Sequence, residues 1–306
     1  DLGWFYGAFG LVVLLIVYLF GTTKYGARNW LNLFGVLIQP SEFVKIIFIF
    51  FAASLLSRYK DFKSIVKITV LAASYVIIFV ISKDLGSGLL FFVAYIVVLY
   101  VATRKPFYLF SGLGLGSLAA YIAYFLFSHV RVRVTAWRDP WTYIDNEGFQ
   151  VAQSLFAIGT GGWFGLGLAK GLPSSIPIVE SDFIFSAISE ELGGITAICI
   201  ILISLSCFIM FINIAMKMKK EFYKLVAVGL STLYIFQVFL TIGGAVKFIP
   251  STGITLPLVS YGGSSALSTI IMFSIIQGMY VLNQNEVDVN ERKKARQNNH
   301  KRFRFY

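Results

Sequence analysis

Charge is what this sequence has least of. Only 13% of its 306 residues are Asp, Glu, Lys or Arg, about half the share of a soluble domain, so a water-soluble globule is excluded. Cysteine is nearly absent. Cys199 and Cys207 sit in one apolar run, where thiols pack as small hydrophobes, and neither a disulfide framework nor a thiolate metal cluster follows. The two histidines, His129 and His300, lie far apart with no cysteine beside them, which excludes a zinc site of the usual spacing. Acid is scarcer than base, 15 residues against 26, for a net charge of +11. The basic groups are split among short segments with no recognition motif, so nucleic acid is not the expected partner.

What is abundant is hydrocarbon. Hydrophobic residues make up 57% of the chain and the mean hydropathy is +0.77. The fold class expected is an all-α integral membrane protein, a polytopic helical bundle. Its eight candidate spans are Trp4–Phe20, Ser41–Ser57, Ile65–Ser82, Leu85–Ala102, Phe107–Phe127, Leu192–Ala215, Phe222–Gly244 and Ser264–Leu282. The glycine-rich stretch Gln150–Leu168 reads as a re-entrant or interfacial element. No repeat or second domain is visible. Residues 1–283 read as one transmembrane domain, and 284–306 as a basic, disordered cytoplasmic tail.

Basic residues set the orientation. Alternate connections and the tail hold seventeen of the 26 Lys and Arg, which marks that side as cytoplasmic and attracts anionic membrane lipid. Both termini are then cytoplasmic. The connections Gly21–Pro40, His129–Asp182 and Ala245–Gly263 face outward, and the second is too long for a simple connector. The active face is expected outside.

Several residues there invite a chemical reading and a bland one. Glu42 and Lys45 share a helix face at i, i+3, as a snorkelling pair or as a polar wall whose lysine meets an anion. Asp84 opens a span, as a cap or as a supporting acid beside a ligand. Arg133 and Arg138, interleaved with Trp137, suit phosphate and sugar, or form an interfacial belt. Asp182 lies where a polar loop meets an apolar helix, so it is either a helix cap or a base. Glu190 and Glu191 follow within about two turns, and on a helix Asp182, Ser186 and Glu190 would share a face and raise a carboxylate pKa. Ile249–Ser265 forms an ordered outward loop. It ends at a helix start, where Ser260, Gly262, Gly263 and Ser264 could meet phosphate or sugar oxygens.

Taken in order, Gly26-Ala27-Arg28-Asn29-Trp30, Gln39-Pro40-Ser41-Glu42 with Lys45, Asp84-Leu85-Gly86, Gly148-Phe149-Gln150, Asp182-Phe183-Ile184-Phe185 with Glu190-Glu191, and Thr252–Ser265 resemble the SEDS family of shape, elongation, division and sporulation proteins. The resemblance covers nearly the whole chain except the tail. It implies ten spans, so the chain is expected to lack the first two and the natural protein to begin earlier. It also implies a bacterial cytoplasmic-membrane peptidoglycan glycosyltransferase that polymerises lipid II into β-1,4 glycan, with inversion and release of undecaprenyl pyrophosphate. The family's essential aspartate falls on Asp182, and its paired helix charges on Glu42 and Lys45. Arg28, Lys45, Arg133 and Arg138 become the pyrophosphate stabilisers, with or without a divalent cation (Mg or Mn) and with no organic cofactor. Implied partners are lipid II, a class B penicillin-binding transpeptidase and other elongation or division proteins. Asn29, Ser87, Ser181 and Gly243-Gly244 depart from the family pattern, which leaves the subfamily open. A lipid-linked precursor flippase and a noncatalytic scaffold are the alternative readings; the first needs a polar path across the bilayer, and the second tolerates loss of Asp182.

Overall fold

A computed structural model describes residues 2–24, 27–33 and 35–302, with the side chains of Lys24, Leu33 and 286–302 outside the description. Helices dominate. They are α1 (Leu2–Phe20), α2 (Ser41–Leu56), α3 (Phe62–Ile81), α4 (Leu85–Thr103), α5 (Pro106–Leu126), α6 (Ser128–Arg138), α7 (Phe149–Gly161), α8 (Ile184–Lys217), α9 (Glu221–Ala245) and α10 (Gly263–Arg302). Seven are long and apolar enough to cross a membrane among the described residues: α1, α3, α4, α5, α8, α9 and the Gly263–Asn285 part of α10. The sequence reading counted an eighth span, α2. Its 16 residues reach only about 24 Å, short of a ~30 Å hydrocarbon core.

The core lies where α2, α4 and α9 meet. Beside it, where α3 joins α2 and α4, Phe48, Phe51, Tyr75 and Phe91 stack on tilted and parallel rings, all essentially buried. In lipid the hydrophobic effect does not drive helices together, so this close packing does. Most of α9 is buried, whereas α5 buries none of its residues fully. Asp61 starts α3 as an N-cap, its carboxylate accepting from the Ser64 N–H at 2.9 Å.

Residues 21–40 correct the all-helical expectation. Read as an outward loop, they form a three-stranded antiparallel sheet, β1 (Thr22–Lys24), β2 (Ala27–Leu33) and β3 (Val36–Ile38). An open-edged sheet is tolerated outside the hydrocarbon, where water satisfies its edges. The long connection after α5 is also built: α6 and α7 are helices, and α7 packs along α8. Gly193 breaks α8 with φ 86° and ψ 170°. A side chain there would meet the Gly165 N and Trp163 O at 2.4 Å, so only glycine lets the 162–165 segment cross this close. Helical backbone continues in α10 to Arg302, where the sequence reading ended order at 283.

Candidate active site

Two polar centres occupy the end of the bundle that carries residues 21–40 and 245–263. In the first, the Lys45 ammonium is 1% exposed and donates to Glu42 Oε2 at 2.5 Å and to Gln237 Oε1 at 2.9 Å. Ser268 also donates to Glu42 Oε2, at 2.8 Å. The Gln237 amide donates in turn to the Thr255 carbonyl at 3.0 Å, and the Thr255 hydroxyl to Ser265 at 2.8 Å. This knot ties α2, α9 and α10 together. The anion-receptive Lys45 of the sequence reading is thus closed off by partners of its own chain.

The second centre surrounds Asp182. Helix α8 begins at Ile184, and its N-cap residue, Phe183, makes no side-chain cap. Asp182 therefore sits in the preceding turn: it does not cap α8, nor does it share a helical face with Ser186 and Glu190 as the sequence suggested. Its Oδ1 accepts from the Ser181 hydroxyl at 2.7 Å. The turn holds Ile178 at φ 59°, an unfavourable conformation for a β-branched residue, and the Asp182 and Ser181 N–H groups both donate to the Ile178 carbonyl. Ser260 donates to the Ser181 carbonyl while accepting from the Leu256 N–H at 2.7 Å, and the Tyr261 N–H donates to the Glu180 carbonyl at 2.8 Å. The loop after α9 thus clamps the aspartate's turn.

Arg133 reaches the same place from α6. Its guanidinium donates to the Ser251 carbonyl at 3.1 Å. A methyl group added to Gly253 would lie 3.4 Å from Asp182 Oδ2 and 3.7 Å from Arg133 Nη2, so carboxylate and guanidinium face one another across a bare backbone. Gly253 has φ +72°, which a side chain would resist. Burial, foremost, pushes the Asp182 carboxyl above the usual range. Ser181 and Arg133 pull it back, and Glu180 and Asp84 add to the rise. Burial likewise lowers the Arg133 pKa, opposed by Asp84 and Asp182. His129, one turn before Arg133, is held below its ordinary pKa by burial and by the Arg133 and Lys83 charges. Its Nε2 and the Thr252 hydroxyl are buried without a hydrogen-bond partner.

The other candidates are placed nearby in supporting positions. Asp84 caps α4, accepting from Ser87 N at 3.1 Å, and takes the Asn29 amide at 2.7 Å. Trp137 donates to the Lys247 carbonyl at 3.1 Å and pins α6 to the loop after α9. Glu190 accepts from the Leu172 N–H and Glu191 from the Ala169 N–H, each at 3.1 Å, so both acids organise the glycine-rich loop after α7. Ser264 accepts from the Gln39 N–H at 3.1 Å, while Gly262 and Gly263 open α10. Two arginines stand apart from Asp182. Arg28 donates to the Leu19 and Gly21 carbonyls at 3.0 and 2.9 Å, at the end of α1. Arg138 is exposed at the last turn of α6. Sequence reasoning missed Gln237, Thr252, Gly253 and His129. An amide in mid-span was the available signal for the first.

The family described as cell cycle protein, FtsW/RodA/SpoVE, matches residues 4–285. The chain belongs to the FtsW/RodA/SpoVE family. It is 38% identical over 293 residues to the peptidoglycan glycosyltransferase RodA of Mycobacterium tuberculosis, covering 90% of this chain but 62% of that protein. The chain thus spans under two thirds of the length of such relatives. Stage V sporulation protein E of Bacillus subtilis is 35% identical, covering 88% of this chain and 75% of that one. Among solved structures, a chain of a peptidoglycan synthase complex that coordinates polymerization and crosslinking superposes with TM-score 0.77 at 24% identity, covering 93% of this chain and 81% of that one. RodA of Thermus thermophilus gives TM-score 0.62 at 23% identity, covering 90% and 76%. In this FtsW/RodA/SpoVE member the fold and the multi-pass membrane character therefore stand on sequence and structure together.

Proposed function

We propose that this FtsW/RodA/SpoVE chain carries the polymerising centre of a peptidoglycan glycosyltransferase, with lipid II as substrate and the outer face of the bacterial cytoplasmic membrane as its place of work. One observation carries the reading: a carboxylate of raised pKa faces a guanidinium across Gly253, with few other groups to satisfy either. Asp182 takes the proton from the acceptor sugar hydroxyl as its oxygen attacks the donor's anomeric carbon. The bond to the pyrophosphate breaks on the opposite face, which inverts an α-linked donor to a β linkage. The leaving group is already a weak base and needs positive charge rather than a proton, and Arg133 supplies it. His129, kept neutral, and the Thr252 hydroxyl offer unspent hydrogen-bonding capacity beside the two.

A divalent cation belongs to this reading only as a counter-ion to the pyrophosphate. Among the described residues no three His, Cys, Asp or Glu side chains converge to hold a metal, and Asp84 is already engaged by Asn29 and Ser87, so no step of this reading is routed through a cation. The name of the structurally similar synthase complex supports pairing with a class B penicillin-binding transpeptidase. Purified chain with that partner and labelled lipid II, compared with Asp182→Ala, tests the reading. Glycan ladders from the wild type alone uphold it, while equal ladders from both sink it and favour a scaffold role.

A further inference from the structure

A cleft at the other end of the bundle carries chemistry that polymerisation does not use. It has a volume of about 600 Å3 and runs between α8 and α10. A smaller recess brings Met218 and Lys219 level with Met279 and Asn283, which sets the register of the two helices. Lys217 then stands level with Tyr280 at the mouth, and Asn213 with Gln277 one turn deeper. Ile209, Met210 and Ser206 continue inward, Ser206 lying about 16 Å from the mouth.

Ser206, Asn213, Lys217 and Gln277 are all exposed. None has a hydrogen-bond or ion-pair partner among the described residues. Amides facing hydrocarbon without a partner are costly, so a polar occupant is called for. The volume is that of a small-molecule site and far below that of a transmembrane helix. A cation and hydroxyl at the mouth, amides one turn behind them and the apolar Ile209 and Met210 beyond match a phosphate headgroup followed by the first part of one acyl chain. We propose that the α8–α10 cleft binds one anionic phospholipid of the cytoplasmic leaflet, with Lys217 and Tyr280 on its phosphate. The leaflet rests on the orientation adopted under the proposed function.

The test titrates the whole chain in detergent with phosphatidylglycerol and with phosphatidylcholine of equal chain length, counting bound lipids by native mass spectrometry. One phosphatidylglycerol is expected to be held in preference. Lys217→Gln should weaken it about fivefold, the worth of one interfacial lysine, with Lys217→Arg restoring it and Lys63→Gln, in the first turn of α3, leaving it unchanged. Equal retention of both lipids, no loss in Lys217→Gln, or an equal loss in Lys63→Gln overturns the site. Labelling of Lys219→Cys by an impermeant thiol reagent reads the leaflet independently of polymerase activity. Modification from outside intact cells overturns the inner-leaflet assignment, and modification only in inverted membranes supports it.

Discussion

The knot around Lys45 and the centre around Asp182 both put charge where water is scarce, yet only one of them balances it. Lys45 has Glu42 and Gln237, Glu42 has Ser268 as well, and Gln237 passes its amide on to Thr255. Asp182 has one hydroxyl donor, and Arg133 spends a donor on a backbone carbonyl. A fully satisfied buried network specifies architecture, whereas an under-satisfied one keeps capacity for a ligand. The segment 251–256 touches both centres, Gly253 beside Asp182 and Thr255 in the knot, so the architecture of one sets the geometry of the other.

The largest expected effect falls on the Asp182 centre. Asp182→Asn should lower polymerisation by about 10²–10⁴-fold, the worth of a general base, without unfolding the protein. The folded carboxyl has a pKa above its unfolded value, so it stabilises the fold only while protonated, below the unfolded pKa. That contribution is lost as pH rises through the folded pKa. Above the folded pKa the ionised group is a cost, and there the variant's Tm should match or exceed the wild type's. A Tm drop alongside the activity loss would break the distinction between the centres.

Lys45→Met is the mirror experiment. It strands Glu42 in a buried site and should cost about 3–5 kcal/mol of stability, read as a fall in Tm or in folded yield. Adding Glu42→Gln should recover part of that, because the orphaned charge goes with it. If Lys45→Met folds normally yet is inactive, the knot belongs to the chemistry.

Arg133→Gln probes the Asp182 centre itself. Losing the guanidinium should cost about a hundredfold in rate. It also removes an influence that favours ionised Asp182, so the acidic limb of the pH–rate profile, already above the ordinary aspartate range, should move to higher pH. A rate loss with an unmoved limb would separate Arg133 from the base. Gly253→Ala is milder. Its methyl group would sit at ordinary contact distance from Asp182, so the cost is the positive φ, about 1–2 kcal/mol, read in Tm.

Legibility followed the same division. The spans were readable because twenty apolar residues in lipid leave the backbone no choice but a helix. Asp182 stood out because it is the acid placed at the border between a polar loop and an apolar helix. The sheet at 22–38 was not readable as such: outside the hydrocarbon the backbone regains alternatives, and Thr22-Thr23 with a glycine-bearing turn is a weak signal beside the long runs. That Asp182 and Arg133 lie on either side of Gly253 was not readable from spacing, since the two belong to different elements held by Trp137 on the Lys247 carbonyl and Ser260 on the Ser181 carbonyl. Spacing along the chain suggested Glu190 as the partner instead. Its carboxylate turned out to hold the Leu172 N–H.

Arg28 gives the smallest expected effect and the sharpest control on that reading. By resemblance it was grouped with the pyrophosphate stabilisers, yet its guanidinium ends α1, donating to the carbonyls of Leu19 and Gly21. The Leu19 carbonyl is among the four a helix C-terminus leaves unpaired, the Gly21 carbonyl follows directly after the helix, and a cation there also meets the negative end of the helix dipole. The side chain is exposed, so the gain is screened, about 0.3–1 kcal/mol. Arg28→Ala should therefore lower Tm slightly, more so at low salt, and leave the pH–rate profile and the KM for lipid II unchanged. A raised KM at unchanged Tm would move Arg28 from the architecture to the substrate, and the division between satisfied and unsatisfied charge would have to be redrawn around it.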